Sequence, residues 1–126
     1  MTSRRTPIVM ALVVAALLAA AWATSAAAAN RVEVASRVTF SQSAPFHGRV
    51  LSLKAACERN RTVAVFRVDP GSDGLYGGTK SGAGGGWSIP AGMPNGKFYA
   101  VVKQRSIDTA GKTFVCKKAV SPKAAF

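Results

Sequence analysis

The chain has 126 residues, room for one domain, with 17 Lys and Arg against five acids and a net charge of +12. One histidine, two cysteines and no Cys-x-x-Cys pair argue against a closed zinc site, which needs four ligands. The five acids, Glu33, Glu58, Asp69, Asp73 and Asp108, contain no compelling acid/base pair. In so small a domain the excess of basic charge favours solubility and attraction to polyanions, and says nothing about fold.

Residues 1–29 read as a helical signal peptide. Arg4-Arg5 forms a short basic region, 8–23 is almost wholly apolar, and Thr24-Ser25 with Ala26 to Ala29 supplies small residues of the Ala-x-Ala type. Cleavage is expected near Ala29. The rival is an uncleaved anchor, since the apolar run falls only a little short of the roughly 20 residues that span a bilayer; its alanine content and small-residue exit favour cleavage, leaving no stable membrane span. Without Arg4 and Arg5, fifteen basic residues face the five acids, a net charge of about +10.

After the leader, seven short strands are predicted. Residues 31–40 alternate, with Val32, Val34, Val38 and Phe40 opposite Glu33, Arg37 and Thr39, as a half-buried strand does. Residues 46–53 form the second strand, where Gly48 signals a bulge or a close backbone approach. The third, 61–68, holds the apolar run Val63-Ala64-Val65-Phe66 and stops at Asp69-Pro70-Gly71, because proline presets φ and has no N–H to donate. Strand side chains alternate, so two phases compete here. Val63 and Val65 share one face with Arg61 and Arg67; Ala64, Phe66 and Val68 share the other with Thr62. Both faces are apolar, and the residues leave the choice open.

A weak strand at 75–81 precedes the glycine run from Gly82 to Gly86. Residues 87–89 follow, with Trp87 and Ile89 on one side, and Asn95-Gly96 is a strong hairpin signal. The sixth strand is 97–105, Phe98, Ala100 and Val102 opposing Tyr99, Val101 and Lys103. A turn at 106–111 leads to the last strand, 112–121, and 122–126 reads as a short frayed tail. Seven strands at roughly ten-residue spacing, with Gly- and Pro-rich turns and no helical period, predict an all-β fold: a seven-stranded antiparallel Greek-key β-sandwich over 30–121. In an exported chain the two cysteines pair most simply with each other. A Cys57–Cys116 disulfide closes a loop of roughly 60 residues, worth about 4 kcal/mol in the chain-entropy account.

The stretch Phe46-His47-Gly48-Arg49-Val50-Leu51-Ser52 resembles the V-x-G-x-V opening of prealbumin-like, carboxypeptidase-regulatory-like β-sandwich domains. Val63 to Arg67 resembles their next strand, and Gly86-Trp87-Ser88-Ile89 the end of their T-D-x-x-G-x-W/F-x-I motif, although Lys80 stands where the acidic residue after Thr79 belongs. Pro94 to Val102 is similar to P-x-G-x-Y-x-A-x-V. Small exported actinobacterial proteins carry such modules with cysteines placed as Cys57 and Cys116 are. The resemblance spans about 46–121. It implies Val63 and Val65 as the inward phase, and binding, scaffolding or stability roles without catalysis.

Other candidate sites are weighed against plainer roles. The Gly82–Gly86 run lacks the Gly-Lys-Ser/Thr and following helix of a phosphate cradle, so it reads as a flexible connection between strands. His47 reads as a surface or edge-strand residue, because an oxidised cysteine is no nucleophile and no second histidine exists. Asp69 and Asp73 sit in a turn, where aspartate bonds nearby backbone, and make a poor calcium site. Tyr99, alternating with Lys97, Lys103 and Arg105, is the most plausible exposed aromatic on a basic face, a pattern used by polyanion binders. The expectation is a secreted, non-enzymatic β-sandwich module without cofactor or metal. Its partner would be a protein or polymer at or outside the cell envelope. The alternative is a cationic effector that binds polyanions such as cell-wall polymer, nucleic acid or anionic membrane, through Lys97, Tyr99, Lys103 and Arg105.

Overall fold

Val63 and Val65 are the inward phase, both fully buried, and the sheets assemble around them. A computed structural model describes residues 30–126; the expected signal peptide and its cleavage site lie outside the described residues. In chain order the strands are β1 (Arg31–Val34), β2 (Ser36–Val38), β3 (Phe46–Ser52), β4 (Thr62–Arg67), β5 (Gly74–Lys80), β6 (Gly86–Ile89), β7 (Lys97–Val102), β8 (Arg105–Thr109), β9 (Lys112–Cys116), β10 (Ala119–Val120) and β11 (Ala124–Ala125), with one short 3-10 turn, Ala55–Cys57. The described residues are therefore all-β, and none of their helices is long and apolar enough to cross a membrane.

Three sheets result. One runs β10-β7-β4-β5, with β11 also on β7; another is β2-β3-β6; the third is β1-β9-β8. The first two bury their facing residues in one core: Val63, Val65, Phe98, Ala100 and Val102 from one side meet Val38, Phe46, Val50, Trp87 and Ile89 from the other. The Phe46 ring lies 4.8 Å from Phe98, 4.9 Å from Phe126 and 5.3 Å from Phe40. Full burial of each Val or Phe side chain contributes about 1.5–3 kcal/mol.

The structure differs from the expected seven antiparallel strands at several places, among them 112–121, which divides into β9 and β10 in different sheets. Residues 31–40 form two strands in different sheets. At Ala35, whose carbonyl accepts a bond from Ser52 Oγ at 3.1 Å, the chain leaves one ladder and enters the next. β1 then pairs with β9 in parallel, Arg31 opposite Thr113 and Val34 opposite Cys116. The strand expected over 97–105 divides because the carbonyl of Lys103 turns into the interior to meet Arg61, and the expected turn at 106–111 is mostly β8, closed onto β9 at Ala110-Gly111.

The tail is not frayed. Ala124 pairs with Phe98, Phe126 exchanges backbone bonds with Gly96, and its ring packs on the core. Gly48 is the expected close approach, since a Cβ there would collide with the carbonyl of Thr39.

Candidate functional site

β4 and β7 turn their other phase away from the core, and the registers place that phase in rows. Leu75, Phe66 and Tyr99 lie side by side across β5, β4 and β7. Gly78, Ala64, Val101 and Val120 form the next row, and Lys80 and Thr62 follow. A solvent-facing sheet normally alternates polar residues outward. Here it carries apolar and aromatic ones instead: Leu75 at 67% and Val120 at 57% are exposed, Phe66 and Tyr99 are half-buried, and Ala64 and Val101 are buried.

A groove of about 620 Å³ opens on this face. Phe66, Tyr99, Val101 and Val120 floor it, and Lys103, Lys118 and Lys123 stand at its rim with Gln104. The Phe66 and Tyr99 rings stack, centroids 5.6 Å apart and 19° from parallel. Such a stack leaves one face of each ring turned away from the other. Asp73 is the carboxylate of the lining: it accepts the Tyr99 hydroxyl at 2.6 Å and the Asp69 N–H at 3.2 Å. The Tyr99 hydroxyl bond, then the Asp69 N–H, hold Asp73 below the usual carboxylate value; partial desolvation opposes them and the Lys123 charge adds to them. The same hydrogen bond to Asp73 raises the Tyr99 phenol. The Tyr99 hydroxyl is thus tied to Asp73, whereas none of the three lysines pairs with a carboxylate among the described residues. The ion pairs found there are Arg67–Asp69 and Lys117–Glu33, both at 3.5 Å.

The groove is held from behind by Arg61, which is fully buried. Its guanidinium donates to the carbonyl of Lys103 from Nε at 3.2 Å and Nη2 at 2.8 Å, to Cys57 O at 2.7 Å, Cys116 O at 3.3 Å, Lys117 O at 2.9 Å and Ser36 Oγ at 2.9 Å. Every direction of the fork finds an oxygen, and none is a carboxylate. Burial, and then the charge of Arg105, lower the pKa of this group from its ordinary value; arginine still stays protonated. Beside it the Cys57–Cys116 disulfide is formed, its Cα atoms 5.4 Å apart and both cysteines fully buried. Bond and guanidinium together anchor the ends of β7 and β9, next to Lys103 and Lys118.

Of the expected polyanion residues, Tyr99 and Lys103 come together in the groove. Lys97 shares their phase but lies outside the lining, and Arg105 sits on β8, where Nη1 donates to the carbonyls of Arg59 at 3.1 Å and Asn60 at 3.4 Å. Lys118, Lys123, Phe66 and Val120 escaped the sequence reading. The apolar second phase of 61–68 was the signal for Phe66; β10 and β11 bring in the others by long-range pairing that no local pattern announces.

His47 lies on β3 opposite Ser88, its Nδ1 2.6 Å from the carbonyl of Pro45. The glycine run makes a backbone-bonded turn, with the Gly85 N–H on Gly82 O and the Val50 N–H on Gly85 O. Asp73 bonds backbone within its own turn, as expected of a turn aspartate.

No protein-family model matches the chain, nor does any curated protein or solved structure.

Proposed function

We propose that this chain is an exported, non-enzymatic binding module of Greek-key β-sandwich type, related to prealbumin-like domains, that works at or outside the cell envelope. The observation that carries the reading is the solvent face of the β10-β7-β4-β5 sheet, where an apolar, aromatic floor lies open beneath three lysines without carboxylate partners. A face needed only for solubility would carry polar residues there. Two facing sheets with one core support the sandwich assignment, and the Cys57–Cys116 bond is in keeping with an oxidising compartment.

Retention of the purified protein on an envelope preparation of the producing cell tests the reading. The wild type should be held, and Val120→Glu, which puts a carboxylate on the floor, should elute freely; equal retention of the two would contradict it. The charge of the chain favours a second reading, binding to polyanions. Retention on heparin that falls steeply across a salt series supports that reading, through counterion release, whereas loss at the first modest increment of salt marks nonspecific charge.

A further inference from the structure

We infer that the groove binds a small amphipathic anion, an apolar chain or ring bearing one carboxylate. The inference rests on the reading of this face as the binding surface and names what the face holds. A concave site of about 620 Å³ falls in the size range of small-ligand pockets, which are mostly apolar with a few placed polar groups. Phe66, Tyr99, Val101 and Val120 supply the apolar bed, and Lys103, Lys118 and Lys123 supply the counter-charge at its edge.

Other occupants fit less well. A polyanion satisfies the lysines but leaves the valine and phenylalanine floor uncovered. A membrane needs a broad projecting apolar surface, whereas Phe66, Tyr99, Val101 and Val120 line a concavity together with three lysines. A second copy of the exported chain brings another net charge of about +10 against the same lysines. The head group meets lysine ammonium groups, which are flexible point charges and not guanidinium forks, so a single carboxylate without strict orientation suffices. Asp73 repels the head group from its own end of the groove and so directs it toward Lys103 and Lys118.

Isothermal titration of the purified protein with decanoate below its micellar concentration tests the inference. Decanol serves as the uncharged counterpart, heparin as the polyanion and phosphatidylglycerol vesicles as the membrane. Saturable 1:1 binding of decanoate is expected, about tenfold tighter than decanol. Val120→Glu should abolish it, and the combined change Lys103→Ala, Lys118→Ala and Lys123→Ala should weaken it about tenfold. All four positions are exposed, so an unchanged urea midpoint confirms that the variants are folded. Absence of decanoate binding, or binding indifferent to Val120→Glu, overturns the inference. Heparin or vesicle binding that needs the lysines, with none for decanoate, also overturns it while leaving this face as the binding surface. No binding of any probe, together with equal envelope retention of wild type and Val120→Glu, removes both readings.

Discussion

Arg61 and Lys103, 42 residues apart, are joined by two hydrogen bonds from one guanidinium to one carbonyl oxygen. This contact ends β7, directs the chain into β8, and seats a full positive charge in the interior with oxygen dipoles as its only compensation. Removing it would orphan carbonyls of Cys57, Lys103, Cys116 and Lys117 at once. Arg61→Met is therefore expected to destabilise the fold by about 3–5 kcal/mol. Arg61→Lys keeps the charge but has only three donors and no planar fork, and should cost about half as much. Urea denaturation of the two variants checks both values; a neutral Arg61→Met would show that the buried charge is not structural.

The disulfide spans 59 residues of sequence. Its removal by Cys57→Ala with Cys116→Ala is expected to cost about 4 kcal/mol, a large share of the 5–15 kcal/mol typical of a domain. Because Arg61 donates to the carbonyls of both cysteines, the two losses should not add. A cycle combining the cysteine pair with Arg61→Lys should show a coupling of about 0.5–3 kcal/mol. Strict additivity in urea denaturation would mean that the two supports act independently.

Phe126 closes the core from the chain end: its ring approaches Phe46, Phe98 and Phe40, and its backbone pairs with Gly96. Phe126→Ala should cost about 1–3 kcal/mol, less than a fully buried phenylalanine because the ring stays partly exposed. Thermal unfolding measures the loss, and an unchanged midpoint would return 122–126 to the status of a tail.

The Asp73–Tyr99 bond makes stability depend on pH at both extremes. Asp73 is depressed in the folded state, so its contribution is present above the ordinary carboxylate value and is lost as pH falls through the folded one. Tyr99 is raised, so its contribution is present below the ordinary phenol value and is lost as pH rises through the folded one. The gap in urea midpoint between wild type and Tyr99→Phe should be constant from about pH 5 to 9 and narrow outside that window. A gap that does not change with pH would show that the bond contributes nothing in solution.

Turn chemistry made the β class legible at Asp69-Pro70-Gly71, which follows the end of β4 for reasons local to those residues, whereas Asn95-Gly96 closes no hairpin, because β6 and β7 lie in different sheets. The undecided phase of 61–68 proved the most informative feature: both its faces are apolar because Val63 and Val65 enter the core while Phe66 floors the groove. Arg61 was hidden by its type, since arginine is rarely fully buried, although it shares the phase of Val63 and Val65. Lys118, Val120 and Lys123 were illegible for a different reason. Two-residue strands carry no periodicity, and only pairing with β7 places them beside Tyr99. The division of 31–40 was marked only at Ala35-Ser36, where the alternation of apolar and polar residues lapses as the chain changes sheets.

The central claim, that the chain acts through the outward face of the β10-β7-β4-β5 sheet, is tested most directly by amide NMR of the purified protein titrated with a soluble envelope extract. Shifts concentrated at Phe66, Tyr99, Val101, Lys103 and residues 118–123 are the expected result. Shifts confined to β2, β3 and β6, or scattered evenly over every lysine, would contradict it.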